Sequence, residues 1–234
     1  MSRCFMLVLI IVLVFAVPAC SSQGAELKSA IERAVMKTSE AQSYRAEGSS
    51  ESITGSVKTF STSFKTEVAA IDRIYSKTTG DSTWQEAVKD GERCYFRERE
   101  GGPWRPCAEE LEEGYYRMIA GVPKFETPIP GVFNLLAFIK NIQELGQEYV
   151  GGAQCTRYQM EIDRKAVSRE LAMPESLPKW LSIVQIWIDE EDYIRRMDVK
   201  TGIPATAEHG ETLMNSTIVF YDFGEDIEIT LPEV

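Results

Sequence analysis

Cys20, Cys94, Cys107 and Cys155 are the thiols that could do chemistry in this chain, and they sit in three different kinds of neighbourhood. Cys20 stands directly behind Val17-Pro18-Ala19, at the end of an uncharged apolar run that begins at Cys4 after the basic start Met1-Ser2-Arg3. A short basic start, an apolar stretch and small residues at its end mark an export signal, and Cys20 stands at its boundary. The run is too short for a comfortable membrane-spanning helix, which needs about 20 residues. An uncleaved signal anchor, or an ordinary secretory signal with an incidental cysteine, are the alternatives. Cys94 and Cys107 lie symmetrically about Glu100-Gly101, with Tyr95–Arg99 before Gly101-Gly102-Pro103 and Trp104-Arg105 after. Residues so placed face each other across a hairpin at Cα separations a disulfide can bridge. Export permits oxidation. The spacing predicts a Cys94–Cys107 bridge with Cys155 left as a buried thiol; a bridge from Cys155 to one of the two is the competing pairing.

Val17-Pro18-Ala19-Cys20 resembles the bacterial lipobox, in which signal peptidase II cuts before a cysteine already carrying diacylglycerol. The resemblance implies a signal peptide over residues 1–19, a lipidated first mature residue at Cys20, and a short tether over residues 20–25. One acyl chain holds a protein only marginally, at about 0.8 kcal/mol per buried methylene, whereas two or three hold it for practical purposes permanently. If Ser21, Ser22, Gln23, Gly24 and Ala25 are extended, the tether reaches roughly 20 Å. The expected location is extracytoplasmic, lipid-anchored at the outer face of the cell membrane or in an outer membrane.

Other chemistry is missing. His209, in Glu208-His209-Gly210-Glu211, has no second His or Cys at ligand spacing, so no metal site is expected. Asp189-Glu190-Glu191-Asp192 reads as a solvated hairpin tip before it reads as a calcium site. No phosphate-cradling glycine loop, Gly-x-Ser-x-Gly elbow or Cys/His pair is present, so neither an enzyme nor a cofactor is expected. Asn215-Ser216-Thr217 matches a glycosylation sequon inside a strand-like stretch. With 36 acidic against 25 basic residues the net charge is −11, which argues against nucleic acid as a partner. It also argues against broad adhesion to anionic lipid, leaving attachment to the acyl anchor.

The elements that must position these residues follow from periodicity. Leu27, Ile31, Ala34, Val35, Thr38 and Ala41 share one face of a helix over 26–42. Phe60, Thr62, Phe64, Thr66 and Val68 alternate with polar residues, as in a strand with one wet face. Further strands are expected over 71–76, 83–88, 93–99 and 104–108, with turns at Thr54-Gly55 and Asp90-Gly91. Val132, Leu135, Leu136, Ile139 and Ile142 recur at helical spacing, with Phe133 and Phe138 widening the apolar surface, which predicts a buried helix. Thr156, Tyr158, Met160 and Ile162 alternate again. Short helices are expected over 164–172 and 175–181, a hairpin over 183–189 and 193–200, and a last strand pair over 214–223 and 226–231. Residues 26–234 read as one domain.

This order of elements, with Trp84, Gly91, Tyr95 and Trp104 in the meander, Gly152-Ala153-Gln154-Cys155-Thr156-Arg157-Tyr158, Ile186-Trp187-Ile188-Asp189 with Tyr193-Ile194-Arg195-Arg196, and the closing Tyr221-Asp222-Phe223-Gly224, resembles the LolA/LppX-like bacterial lipoproteins. The resemblance implies an α+β fold: a curled antiparallel sheet, a half-open β-barrel, with helices packed in its concave face. It also implies an apolar cavity between sheet and helices that accepts acyl chains. Phe60, Phe64, Phe133, Leu136, Phe138, Ile139, Tyr158, Met160, Ile186 and Ile188 are the candidate cavity wall; the same residues would equally fill an ordinary core. The expected function is binding or transfer of a lipid or other hydrophobic ligand by an anchored lipoprotein. A freely diffusing carrier is excluded if Cys20 is lipidated. The alternative is a non-enzymatic envelope module that recognises a protein or an acylated peptide.

Overall fold

Alternating side chains and short glycine turns build two antiparallel meanders, and one pairing joins them into a single sheet. The computed structural model describes residues 19–70, 72–81, 83–107, 138–163, 181–203, 205 and 210–233. The first meander runs β1 (Tyr44–Thr54), β2 (Val57–Ala70), β3 (Arg73–Gly80), β4 (Trp84–Asp90), β5 (Arg93–Arg97) and β6 (Arg105–Pro106). The second runs β7 (Ile139–Val150), β8 (Ala153–Ile162), β9 (Leu181–Asp189), β10 (Ile194–Ile203) and β11 (Thr212–Tyr221). The order across the 11-stranded sheet is β6-β5-β4-β3-β2-β1-β11-β10-β9-β8-β7. Every neighbour is a chain neighbour except β1 and β11, which pair from Arg45↔Tyr221 to Thr54↔Thr212. The sheet is curled and unclosed, with β6 and β7 as its edges.

Helix α1 (Ala19–Ser39) lies on one face. Ile31, Ala34 and Thr38 are buried and Leu27 and Val35 partly so, the i, i+4, i+7 spacing of a core-facing stripe. Ile31 and Ala34 share one cluster with Tyr44, Val68, Met160, Ile186, Met197 and Phe220, which fixes that side of the sheet as the inner face. The Thr38 hydroxyl accepts the Ile194 N–H at 2.9 Å, tying the end of the helix to the start of β10.

The Cys94–Cys107 disulfide is formed, with Cα atoms 5.3 Å apart. The register Tyr95↔Pro106 puts the two cysteines opposite each other, and the Cys107 N–H bonds the Cys94 carbonyl at 2.9 Å. Cys155 is the buried free thiol. Closing a loop with a sequence separation of 13 removes unfolded-state entropy, so reduction is expected to cost about 2–3 kcal/mol. Urea unfolding with and without reductant measures this; coincident curves would refute it.

Three expectations are corrected. Ile139 and Ile142 belong to strand β7, not to a helix: their backbone groups pair with β8 at Ile139↔Ile162 and Ile142↔Met160, and that ladder overrides the helical spacing. Residues 132–137 of that expected helix, including Phe133 and Leu136, lie outside the described residues, as do the segments 164–180 and His209. Residues 226–231 form no strand, because β11 already has β10 on one side and β1 on the other. Instead the chain after β11 is pinned to the start of β1: the Gly224 N–H bonds the Ser43 carbonyl, the Ser43 hydroxyl donates to the Glu225 carbonyl, and Ile227 is buried. Finally, residues 21–25 are the first turns of α1 and not an extended run. Gly24 inside a helix costs only about 1 kcal/mol, and nothing in the described structure draws this segment into a strand.

Candidate functional site

Register and alternation place the inner face residue by residue. From β1 it takes Tyr44, Ala46, Gly48, Ser50 and Ser52; opposite them on β2 stand Val68, Thr66, Phe64, Thr62 and Phe60. On β11 the partners are Phe220, Ile218, Ser216 and Met214. β10 continues with Met197, Val199 and Thr201, β9 with Ile188, Ile186 and Val184, and β8 with Thr156, Tyr158 and Met160. β3 adds Ile74, Ser76 and Thr78. Across these seven strands no charged side chain stands on the inner face, in a chain that is 26% charged.

This face has two halves. Beneath α1 it is apolar and closed: Met160 is 0% exposed and Ile186 1%. Towards the β1–β2 and β10–β11 turns it carries hydroxyls, several of which satisfy one another, Ser50 with Ser216 at 2.9 Å and Thr54 with Thr212 at 3.0 Å. Phe60 and Met214 lie on that half and are 43% and 41% exposed. Between the halves Phe64 lies over Gly48, whose missing side chain leaves room for the ring.

All the described candidate wall residues fall on this one face. Tyr158, Met160, Ile186 and Ile188 are in the buried core, Phe138 and Ile139 pack against it, Phe64 is half-buried and Phe60 stands at the open rim. Phe133 and Leu136 lie outside the described residues. Sequence reasoning missed Gly48 and the hydroxyl stripe, because the residues that complete this part of the face come from β10 and β11, far along the chain.

The outer face is the opposite in character. Glu86 accepts from the Tyr75 hydroxyl at 2.6 Å and from Arg97. The Arg97 guanidinium lies between the rings of Trp84 and Trp104. Trp187 is covered by Arg157 and Arg196, and its ring N–H donates to Glu148. In the acidic turn after β9 the Asp189 carboxylate is already used: it accepts the N–H groups of Glu191 and Tyr193 and pairs with Arg195. Among the described residues no group of three His, Cys, Asp or Glu is placed to hold a metal.

Cys155 sits on the outer side of β8 with Val150 and Trp187. Burial, reinforced by Asp189, pushes its thiol up to about 11. Burial likewise raises Tyr44, Tyr75 and Tyr221. A group with a raised folded pKa contributes stability that is complete below its unfolded pKa and is lost as pH rises through the folded one. The melting temperature is therefore expected to fall steadily above about pH 9. Thermal melts in an alkaline buffer series check this; a flat profile up to about pH 11 would contradict it.

The Mycobacterium tuberculosis lipoprotein LppX has a crystal structure that matches 88% of this chain and 99% of its own, with a TM-score of 0.55 at 14% identity. LprF from Mycobacterium bovis matches 89% of this chain and 97% of its own, with a TM-score of 0.53 at 12% identity. The chain has an LppX-like fold. No family model matches the sequence, and no curated protein does. Identity this low carries the fold and nothing about ligand. Within this LppX-like half-barrel, the inner face that carries no charge across seven strands is the surface that α1 only partly covers. Among the described residues no helix is long and apolar enough to cross a membrane.

Proposed function

We propose that this chain is an extracytoplasmic lipoprotein, acylated on Cys20, that holds a lipid or other hydrophobic ligand between its sheet and its helices. The observation that carries this reading is the inner face free of charge across seven strands, open at Phe60 and Met214, in a chain otherwise rich in charge. An ordinary core needs no such rim. A large exposed aromatic at the edge of an apolar surface is what a ligand groove presents. That one protein of the same fold is a lipoprotein agrees with the lipobox-like Cys20. The test is lipid extraction and native mass spectrometry of protein purified from membranes, with uptake of a fluorescent fatty acid as the second measurement. Bound lipid or saturable uptake is expected, and Phe60→Asp, at a site exposed enough to spare the fold, is expected to weaken uptake about tenfold. No co-purifying lipid together with no uptake would refute the reading.

One observation favours a protein partner instead. β7 is a 12-residue edge strand carrying Tyr149 at 74% exposure and Leu145 at 39%, and an open edge can take an added strand. Crosslinking in cells separates the two: a stoichiometric envelope protein favours this reading, lipid alone the first.

A further inference from the structure

The arginines of this chain are almost all spoken for. Among the described residues Arg33, Arg45, Arg73, Arg93, Arg97, Arg157, Arg195 and Arg196 each have a carboxylate partner. With 36 acidic residues to 25 basic ones, that is the default outcome. Arg99 and Arg105 are the exceptions, and both line the same cleft.

This cleft, of about 420 Å³, is formed by the β5–β6 hairpin and lined by Phe96, Arg97, Glu98, Arg99, Pro103 and Arg105, with Gly102. The disulfide closes the hairpin at its base. Phe96, buried, gives the cleft a firm apolar side, and Arg97 is clamped by Glu86 with its guanidinium 4.6 Å from the Trp104 ring. Arg99 and Arg105 are exposed, one before the turn and one after it. Their charges reach the cleft from the two sides of the turn, and among the described residues Glu98 is the one carboxylate on its wall.

We infer that this cleft is a binding subsite for a phosphate ester. A phosphate ester carries up to two negative charges and more acceptor oxygens than a carboxylate, so it matches two guanidinium groups in charge as well as in fork geometry. The volume exceeds what a bare ion needs and falls within the range of small-ligand pockets, so the phosphate carries a substituent. An amphiphile's phosphate headgroup and a soluble phosphate ester offer the same recognition chemistry. The subsite lies at the β6 edge of the sheet, beyond the seven strands of the uncharged inner face, with Arg105 opposite Phe96 on the same side as Ala87 and Ser76.

The test is calorimetric titration of the full chain in detergent with two probes, glycerol 3-phosphate and a short-chain phosphatidylglycerol, at low and high salt. Binding that weakens with salt is expected for at least one probe. Binding of the phosphatidylglycerol alone assigns the source as a headgroup, and equal binding assigns it as the ester itself. Arg99→Gln with Arg105→Gln is expected to weaken binding about tenfold, and Glu98→Gln to strengthen it about threefold. Arg73→Gln, on a paired arginine outside the cleft, is expected to change little. All these positions are exposed, and a thermal melt confirms that each variant folds. Failure of the unaltered chain to bind either probe, or unchanged binding in the double variant, would overturn the inference.

Discussion

Cys20→Ala is expected to abolish both acylation and cleavage at residue 20. In the lipobox-like reading the diacylglyceryl thioether must form before the cut, so removing the sulfur removes both steps. The energetic difference is large: each methylene of two acyl chains contributes about 0.8 kcal/mol, and without the sulfur all of that acyl attachment is lost, leaving only the uncut apolar start. Mass spectrometry of the N-terminal peptide from membrane-purified protein is the measurement. The unaltered chain is expected to begin at Cys20 and carry acyl mass, and Cys20→Ala to keep its apolar start uncut there. An unmodified, internal Cys20 in the unaltered chain would sink the prediction. The continuous helix from Ala19 adds a geometric consequence. At 1.5 Å per residue, residues 21–25 span about 8 Å instead of about 20 Å. With an acyl anchor on Cys20, the anchor and the core-facing stripe of α1 would belong to one rod, and the half-barrel would be held at a set distance from the leaflet.

Local rules made much of this fold legible. Short turns such as Asp90-Gly91 join strands whose alternation is plain, and the symmetry of Cys94 and Cys107 about one turn gave their register directly. Where two local patterns compete, tertiary pairing decides. Ile139 and Ile142 are three apart, as on a helix, yet both stand on the inner side of an edge strand because a bulge near Lys140 alters the alternation. The stretch after Gly224 alternates like a strand but finds no open sheet edge, since β1 and β11 have already joined the two meanders. That joining is non-local and leaves no mark in the sequence. The apolar half of the candidate site was readable from Tyr158, Met160, Ile186 and Ile188. The hydroxyl half was not, because Ser50 and Ser216 are 166 residues apart and meet only through the β1–β11 ladder. Nor were Arg99 and Arg105, which differ from the other arginines in having no carboxylate partner among the described residues.

Gly48→Val sets two physical rules against each other, and the packing rule is expected to win. Gly48 lies mid-strand in β1, between β2 and β11, where valine's β-branched side chain is favoured by strand propensity. Propensity alone would make the substitution stabilising. A Cβ there would stand 2.5 Å from Cε1 and 2.6 Å from Cζ of Phe64, and 2.6 Å from the Thr217 carbonyl oxygen. The ring can turn away; the carbonyl is part of the ladder and cannot. Overpacking of this kind costs about 3 kcal/mol, which lowers the melting temperature of a chain of this size by about 6–12 °C. Removing the ring separates the two clashes. Gly48→Val with Phe64→Ala is expected to be less destabilised than the sum of the single changes by about 1 kcal/mol, yet still below the unaltered chain, because the Thr217 contact persists. Chemical denaturation of the three variants gives the cycle. A stabilised Gly48→Val would show that β1 moves freely against β11, and strict additivity would show that Phe64 does not rest on Gly48. Because the ring separates the closed, apolar half of the inner face from the open, hydroxyl-bearing half, ligand uptake by Gly48→Val is expected to fall even in the fraction that remains folded.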